Sequence, residues 1–526
     1  MLDILIKNGV VVDGTGKPAF RAAVGVVDGR VAAVAKDLEQ EAARVIEAQG
    51  LHVAPGFIDP HTHSDLPLLV DPRAESKIRQ GVTTEVVGNC GFSAAPLLGA
   101  AMEETRAKAE NLELDITWTG MGEYLDRLRH SGTALNVVAL VGHNVVRGSV
   151  LGYGDVQPEP AQQAEMERLV AEAMEQGARG LSTGLYYPPG YYARTEEVIG
   201  LARAAARYGG IYASHVRSES DKLLEAIAEA VEIGEKAGIR VEIAHLKLES
   251  YRNWENIDRL VSVLDGAQAK GLRVGCDQYP YIACSTWMGA MLPYWAQAGG
   301  AKVVAERLRD PEVRAQLRRD WEENRADWDN RTGVRDWTDV LVCDCPGKPE
   351  VLGKNVAEIA GSDQDPLETA FDLIVVSEGL VSGVWFNQPE ENVQILMRHP
   401  LVAVGSDGSS LSPHGVLGRR KVHPRSYGTF PRVLGRYVRE EKVLSLEEAV
   451  KKMTSLAAAR FGLTGRGVVS EGAWADLVLF DAQTVADRAT FTEPYQYPTG
   501  IPYVIVNGEI VIEQGDHTGA LAGQVL

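Results

Sequence analysis

Histidine, cysteine and aspartate residues follow several short apolar segments of the sequence, and together they could hold a metal ion. They are His61, His63, Cys90, His143, His215, His245 and Asp407. Neutral imidazoles and a thiolate form the usual ligand set of zinc. Cys90, His215 and His245 would hold one Zn²⁺ and leave a fourth position for water, whose pKa such a site lowers to about 7. The chemistry indicated is hydrolysis.

The pair His61 and His63 leaves two interpretations open. At positions i and i+2 of a strand, both side chains point to the same face. They could hold a second, weaker ion that is bridged through Cys90 and joined by Asp407, or they could only orient the solvent side of a site with one metal. Asp407 itself could be a turn residue in Ser406-Asp407-Gly408. Beside a metal, its better role is that of the general base that takes the proton from water.

Strands that alternate with amphipathic helices must position these residues. The pattern predicts parallel βαβ units, and in a parallel barrel the carboxyl ends of all strands open on one face, where catalytic groups assemble. Nine segments qualify as strands, one more than an eight-stranded barrel needs: 57–62, 82–87, 135–141, 179–182, 211–214, 240–244, 272–275, 381–385 and 401–405. We predict a (β/α)8 TIM-like barrel over residues 55–462 with an inserted subdomain at about 286–395. Segment 381–385 either belongs to this insertion or replaces 272–275 as the seventh strand.

Both ends of the chain are rich in short β-strands. Residues 1–54 contain three apolar β segments separated by Gly and Asp turns, and residues 463–526 contain further segments, with Asn507-Gly508 between two of them as a hairpin signal. Each end is too small to bury a core alone. We predict that they combine into one small β-sandwich or barrel domain, and that Ser445-Leu446-Glu447-Glu448 opens a last helix with a capping box.

Composition excludes several classes of protein. The chain has 526 residues, 45% hydrophobic and 24% charged, as globular proteins do. A net charge of −19 speaks against nucleic-acid binding. Neither a leader at the N-terminus nor an apolar run of about 20 residues is visible, so we expect no secretion and no membrane partner. Five cysteines, an odd and sparse number, indicate a reducing cytoplasm rather than a disulfide framework.

Longer motifs around these residues resemble those of known hydrolases. The segment Ala54-Pro55-Gly56-Phe57-Ile58-Asp59-Pro60-His61-Thr62-His63 resembles the first-strand signature of the amidohydrolase superfamily, and residues 472–480 resemble its C-terminal β-domain signature. Narrower motifs resemble the N-acyl-D-amino-acid deacylases (D-aminoacylases). They are Gly88-Asn89-Cys90-Gly91, residues 180–185, Tyr279-Pro280-Tyr281 with Ser285-Thr286, and His423-Pro424-Arg425 with residues 428–432.

The resemblance implies a ligand set and a substrate class. One tightly held zinc would lie on Cys90, His215 and His245, and a weaker second site would match His61, His63, Cys90 and Asp407. Many relatives bridge two metals with a carboxylated lysine on the fourth strand. No lysine occurs in residues 180–185, which speaks against hydantoinase-like or dihydroorotase-like activity.

The resemblance also implies how a substrate carboxylate is held. Lys247 and Arg425 match carboxylate contacts, and Tyr279 and Ser285 match hydroxyl donors. A planar guanidinium can grip a carboxylate with two hydrogen bonds. The loop 408–422 looks longer than in the best-known members of the family, which could change the angle of Arg425 and let His414 intrude.

Two further groups of residues invite a functional interpretation. His143, at the end of the third predicted strand, could support the site from behind the ligands. Cys343 and Cys345 suggest a metal site, but with no histidine cluster nearby they are better interpreted as buried thiols.

The leading hypothesis is a cytoplasmic zinc hydrolase that cleaves the amide of a small N-acyl-D-amino acid. Another amidohydrolase activity, that of a dipeptidase or a cyclic amidase, is the alternative within enzymes. A binding protein that keeps the barrel only as a scaffold is the alternative from another class. The residues assign no oligomeric state.

Overall fold

The computed structural model describes residues 1–323 and 335–526. The strands are, in chain order, β1 Leu2–Val11, β2 Phe20–Val27, β3 Arg30–Ala35, β4 Ala42–Glu47, β5 His52–Pro55, β6 Phe57–Asp59, β7 Val82–Val87, β8 Asn136–Ala139, β9 Val141–Gly142, β10 Gly180–Gly184, β11 Ile211–His215, β12 Arg240–Ile243, β13 Val274–Gln278, β14 Cys284–Trp287, β15 Val340–Asp344, β16 Ser382–Trp385, β17 Val402–Val404, β18 Leu477–Phe480, β19 Tyr503–Val506, β20 Glu509–Glu513 and β21 Asp516–His517.

Helices fill most of the connections between these strands. They are α1 Pro67–Val70, α2 Glu75–Ile78, α3 Gly99–Glu110, α4 Met121–Ser131, α5 His143–Leu151, α6 Pro160–Glu175, α7 Thr195–Ala206, α8 Leu223–Ala237, α9 Ile257–Ala269, α10 Tyr294–Gln297, α11 Ala301–Arg307, α12 Pro311–Glu323, α13 Val356–Ala360, α14 Pro366–Val376, α15 Glu390–Arg398, α16 Arg425–Arg432, α17 Leu446–Met453 and α18 Ser455–Phe461. No helix of the described residues is long and apolar enough to cross a membrane.

Strands β6 to β13 and β17 form a parallel barrel. β6, β7 and β8 pair in that order, and β9, β10, β11, β12, β13 and β17 form the remainder, so that β8 and β9 together take the third position. Every residue of β7, β10, β11 and β13 is buried, as expected for parallel strands covered by helices. The prediction of a (β/α)8 barrel is therefore confirmed.

The surrounding helices follow the predicted pattern. α6 begins at Pro160, whose fixed φ and missing N–H suit the first helical position. It buries Met166, Leu169, Val170 and Ala173 at helical spacing against the barrel. α17 begins after Ser445, whose hydroxyl accepts a hydrogen bond from the Glu448 N–H at 3.2 Å, as the predicted capping box requires.

The predicted strand 381–385, one more than the barrel needs, belongs to the insertion between β13 and β17. β16 pairs antiparallel with β14 and with β15, outside the barrel, while β13 takes the seventh barrel position. The two alternatives left open by the sequence are thereby resolved. Residues 324–334 of the predicted insertion lie outside the described residues.

Both chain ends contribute to one further sheet, in the order β21, β20, β19, β18, β5, β1, β2, β3, with β4 beside β1. β18 pairs antiparallel with β5, so the two ends meet at that point. Asn507 and Gly508 both have positive φ, as a two-residue hairpin turn between β19 and β20 requires. β4 was not predicted. The domain boundaries at 54/55 and 462/463 stay predictions.

The seam of the barrel lies between β6 and β17, which share no ladder. Backbone hydrogen bonds close it just above the strands: the Asp407 N–H donates to the His61 carbonyl at 2.9 Å, and the His63 N–H donates to the Gly408 carbonyl at 2.8 Å. Below them, Asp59 accepts a hydrogen bond from the Ser406 N–H at 2.9 Å and another from the ammonium of the fully buried Lys77 at 2.8 Å.

The C-terminal segment packs against the amino end of β8. The Val137 N–H donates to the Gln524 carbonyl at 2.8 Å, and the Leu526 N–H donates back to the Val137 carbonyl at 2.9 Å. Gly523 lies so close that an added Cβ would overlap the carbonyl oxygen of Leu135. Because that neighbour is backbone, the chain cannot yield there without breaking this pairing.

We therefore expect Gly523→Ala to lower the melting temperature, with a loss of about 1–3 kcal/mol in the free energy of unfolding. Gly266→Ala is the matched control, since Gly266 lies within α9 and an added Cβ meets no atom within 4 Å. Alanine has the higher helix propensity, so this variant should be as stable as the wild type or more so. Thermal unfolding of both variants measures the difference. Equal melting temperatures for Gly523→Ala and the wild type would contradict the assigned packing.

Candidate metal centre

The ligand candidates meet at the carboxyl end of the barrel. His61 and His63 follow β6, Cys90 follows β7, His215 is the last residue of β11, His245 follows β12, and Asp407 follows β17. Two groups have ligand atoms within 4.8 Å of one another: Cys90 with His215 and His245, and Cys90 with His61, His63 and Asp407. Cys90 belongs to both groups. The structure thus brings together every residue that the sequence predicts as a ligand.

Distances between the ligand atoms are short. The Cys90 Sγ lies 3.3 Å from the His61 Nε2 and 3.4 Å from the His245 Nε2. The Asp407 Oδ1 lies 3.0 Å from the His63 Nε2 and 3.5 Å from the His61 Nε2. Ligands about 2.0–2.3 Å from a tetrahedral zinc are about 3.3–3.8 Å from one another. Three of these four separations fall in that range, and the 3.0 Å between Asp407 and His63 is slightly shorter, so each group could hold a metal ion after small side-chain movements.

The chemistry of the donors fits a metal as well. Both ring nitrogens of His215 are buried and have no hydrogen-bond partner among the described residues. Burial opposes ionisation of the Cys90 thiol, but the His61 and His245 rings outweigh it and hold the pKa of Cys90 well below its usual range. A thiolate and an imidazole with free nitrogens are the forms that bind zinc.

Three of the ligand residues have left-handed backbone conformations. The φ angles are +53° at Cys90, +32° at His245 and +50° at Asp407. Residues other than glycine rarely adopt such angles, which cost about 1–3 kcal/mol each and occur mostly at functional sites. The strain is offset by the surrounding hydrogen bonds, and it turns these side chains inward over the barrel mouth.

Asp407 lies between imidazoles and a guanidinium. Its Oδ2 is 2.8 Å from the Arg425 Nη1, and its Oδ1 faces both histidines of the second group. Burial raises the pKa of the carboxyl, but Arg425 and His245 lower it by more, so that the pKa of Asp407 lies well below its ordinary value. Asp407 is therefore ionised at neutral pH and can accept a hydrogen bond or a proton.

Two buried carboxylates that the sequence analysis missed stand behind the ligands. The Glu219 Oε1 lies 3.0 Å from the His245 Nδ1 and accepts a hydrogen bond from the Lys247 ammonium at 2.5 Å. Asp277 contacts the ring of His61 and the backbone of His245. Glu219 lies four residues after His215, a spacing that could have directed attention to it. Asp277 lies two residues after the predicted strand 272–275, the same offset as that of Asp407 after 401–405, which could have drawn attention to it as well.

The residues predicted to hold a substrate carboxylate surround the ring of Tyr279. The Arg425 guanidinium lies 4.9 Å and the Lys247 ammonium 5.5 Å from the ring centroid. The Tyr279 hydroxyl is buried and has no hydrogen-bond partner among the described residues. The backbone carbonyl of Ser285 accepts a long hydrogen bond of 3.4 Å from Arg425, and the Ser285 hydroxyl lies 3.9 Å from the Cys343 Sγ. Lys247 is paired with Glu219, a partner that the sequence analysis did not foresee.

The remaining predictions around the site concern His143, His414, Cys343 and Cys345, and their outcomes differ from one another. The His143 Nε2 is 2.8 Å from the Glu197 Oε1, so the contact found for its ring is with α7 rather than with a ligand. The neighbouring Asn144 instead bonds both the N–H and the carbonyl of Gly184, beside the loop that carries Cys90. The side chain of His414 is exposed and does not intrude. Cys343 and Cys345 are buried thiols, as predicted.

An aromatic residue after β10 also faces the ligands. The Tyr187 ring packs against His215 with a centroid distance of 5.0 Å, and its hydroxyl is 2.8 Å from the Thr286 hydroxyl. Residues 180–185 were singled out as a motif in the sequence, but the tyrosine just beyond them was not.

Comparison with known proteins agrees with this geometry. Residues 44–512 match the model of the Amidohydrolase family. The chain is 37% identical to N-acyl-D-glutamate deacylase of Alcaligenes xylosoxydans xylosoxydans over 98% of its own length and 94% of the relative's.

Solved structures extend the likeness to the whole chain. A D-aminoacylase structure concerning the functional role of its binuclear metal center, with one-metal activation and second-metal attenuation, has a TM-score of 0.84 at 34% identity and covers 100% of both chains. N-acyl-D-glutamate deacylase from Bordetella bronchiseptica, complexed with zinc and a phosphonate that mimics the tetrahedral intermediate, has a TM-score of 0.83 at 35% identity, covering 100% of this chain and 99% of that one.

These matches span nearly the full length and include the segments that carry the ligand candidates. The chain therefore belongs to the amidohydrolase family and, within it, to the group of the N-acyl-D-amino-acid deacylases.

Proposed function

We propose that this protein hydrolyses the amide of N-acyl-D-amino acids, with zinc as the metal, to give a carboxylate and a free D-amino acid. One observation carries the proposal: the buried Cys90 thiolate is shared by two groups of ligands, and Asp407 stands on one of them at the open end of the barrel. The relatives named above are deacylases of this class, and one of them holds zinc together with a mimic of the tetrahedral intermediate.

The residues support a hydrolytic cycle at this site. Zinc bound on Cys90, His215 and His245 would polarise the acyl carbonyl and lower the pKa of water. Asp407 is ionised and faces the same space, so it can take a proton from the attacking water. Attack of the water oxygen forms the C–O bond and converts the acyl carbonyl into a tetrahedral intermediate. When this intermediate collapses, the C=O bond reforms, the C–N bond breaks, and Asp407 returns the proton to the departing nitrogen.

A guanidinium beside Asp407 supports a substrate with a free carboxylate. We propose that Arg425 binds the α-carboxylate with the N–H groups that do not face Asp407, and that the Tyr279 and Ser285 hydroxyls contact the same substrate. Lys247 would act in the same region once substrate competes with Glu219 for its ammonium. Arg425 and Lys247 would thus match the negative charge of the substrate carboxylate.

The alternative within the family is cyclic-amide or dipeptide hydrolysis. Relatives that open rings commonly bridge two metals with a carboxylated lysine, whereas β10 contains no lysine and Cys90 supplies the bridging anion in this chain. The observation favours linear N-acyl amino acids. We also propose that a small molecule is the main partner, with neither nucleic acid nor membrane, and that the protein works in the cytoplasm, where its five unpaired cysteines stay reduced.

Asp407→Asn should keep the fold and the zinc on Cys90, His215 and His245 but lose about 10²–10⁴-fold in kcat, because asparagine cannot take the proton. Steady-state kinetics with metal analysis of the same sample measures this. Asp372→Asn is the control, since Asp372 is likewise 2.9 Å from an arginine (Arg314) but lies in the insertion. A rate near that of the wild type would remove Asp407 as the base.

Removal of the metal and a stereospecific screen test the reaction itself. Treatment with a chelator should abolish turnover of an N-acetyl-D-amino acid, and stoichiometric Zn²⁺ should restore it, because Asp407 without the metal neither lowers the pKa of water nor polarises the acyl carbonyl. N-acetyl-D-amino acids should be cleaved, whereas the L-enantiomers, dipeptides and hydantoins should not. Faster turnover of hydantoins or dipeptides than of any N-acetyl-D-amino acid would refute the proposed substrate class.

Arg425→Lys should raise KM for the N-acyl amino acid by about 10–100-fold, because an ammonium keeps the charge but cannot grip a carboxylate with two parallel hydrogen bonds. Arg419→Lys serves as the control: Arg419 lies in the preceding loop and its side chain is 64% exposed. Initial rates over a range of substrate concentrations separate KM from kcat. An unchanged KM in Arg425→Lys would show that the carboxylate is held elsewhere.

A further inference from the structure

Asp277 is a buried carboxylate that contacts both candidate metal groups. It is the next to last residue of β13 and is 1% exposed. Both of its carboxylate oxygens lie 3.4 Å from the His61 Nδ1, and the Oδ1 also accepts a hydrogen bond from the His245 N–H at 2.9 Å. His61 belongs to one metal group and His245 to the other.

The contact with His61 decides which ring nitrogen is free to bind a metal. The His61 Nε2 points at the shared thiolate, 3.3 Å from the Cys90 Sγ. A neutral imidazole binds metal through the nitrogen that carries no proton, so its other nitrogen must hold the proton. A carboxylate beside Nδ1 can only accept, and it therefore stabilises the proton at Nδ1 and leaves the Nε2 lone pair for the metal.

The contact with His245 concerns the backbone. His245 has φ +32°, in the left-handed region that residues other than glycine avoid. Asp277 receives the His245 N–H on its side chain and the Leu246 N–H on its backbone carbonyl, at 2.9 and 2.8 Å. β13 thereby holds the chain in the conformation that turns the His245 ring towards Cys90, where its Nε2 is 3.4 Å from the sulfur.

We propose that Asp277 is a positioning residue for both metal groups, fixing the ring of His61 with its carboxylate and the backbone of His245 through its Oδ1. The inference rests on the proposed zinc-dependent function and adds to it a residue that contacts both groups. A single carboxylate orients a ligand of one group and the backbone of a ligand of the other.

Asp277→Asn separates the two contacts. The asparagine oxygen can still accept the His245 N–H, while the NH₂ group replaces one of the two oxygens near the His61 Nδ1 and the negative charge is lost, which favours the tautomer with the proton on Nε2. We expect the zinc on Cys90, His215 and His245 to remain, while zinc affinity of the group that contains His61 falls about 10–100-fold. Elemental analysis and competition titration of metal-depleted, refilled protein measure both affinities without any substrate.

Two further variants complete the design. Asp277→Ala removes both acceptors and should weaken both metal groups. Asp265→Asn is the matched control, because Asp265 lies in α9, outside the site, with a carboxylate oxygen 3.3 Å from the His399 Nε2. This substitution should leave both zinc affinities unchanged. ¹⁵N spectra of histidine-labelled, zinc-loaded protein should show a proton on the His61 Nδ1 in the wild type and its loss in Asp277→Asn, which a merely destabilised fold would not produce.

The outcomes are distinct. Metal affinities and a His61 signal in Asp277→Asn like those of the wild type overturn the proposal, whether the wild type holds one ion or two. Loss of zinc from Cys90, His215 and His245 in the same variant also overturns it, since the two contacts would then not be separable. A wild type that binds zinc but cleaves no N-acyl-D-amino acid refutes the proposed function and leaves the titration readable.

Discussion

The buried thiolate of Cys90 is the interaction on which the rest of the site depends. A charge in a buried position is costly unless opposite charges or a metal compensate it. Here the compensation comes from the rings of His61 and His245, which hold the pKa of the thiol low. Each ring is in turn held by a carboxylate behind it, Asp277 for one and Glu219 for the other. The centre therefore consists of one sulfur atom, the imidazole rings that contact it, and the carboxylates that contact those rings. These groups come from strands on several sides of the barrel.

This arrangement explains why single residues of the site have more than one task. Arg425 lowers the pKa of Asp407 and also faces the ring of Tyr279, so it contributes to the base and to the surface that would receive a carboxylate. Lys247 neutralises Glu219 next to a ligand, and removal of its charge would leave that carboxylate buried without its closest partner. Breaking such a buried pair commonly costs about 3–5 kcal/mol. Binding residues and structural residues are thus the same side chains.

Much of the fold and the ligand set could be predicted from the sequence because both follow from local rules. Strand ends in a parallel barrel face one side, so His61, Cys90, His215, His245 and Asp407 could be grouped before any coordinates were known. The predicted strand 381–385 could not be assigned to the barrel or to the insertion, because a short apolar segment gives no sign of which neighbours it pairs with. The positions of Asp277 and Glu219 near strand ends and ligands could have drawn attention to them, but their roles could not be predicted, because these depend on side-chain directions across neighbouring strands. His143 shows the same limit, since a shift of one residue to Asn144 changes which side chain reaches the ligand loops.

The closure of the barrel seam has a consequence for how the protein holds together. β6 and β17 are joined by backbone bonds of His61, His63, Asp407 and Gly408, which include ligand candidates, rather than by a ladder of ordinary strand residues. A metal ion bound by these side chains would also hold the ends of β6 and β17 together. Because a ligand that binds only the folded form adds to its stability, the ion would stabilise the barrel. Metal binding and the stability of the barrel are then thermodynamically linked. In the metal-free protein we expect local opening between β6 and β17.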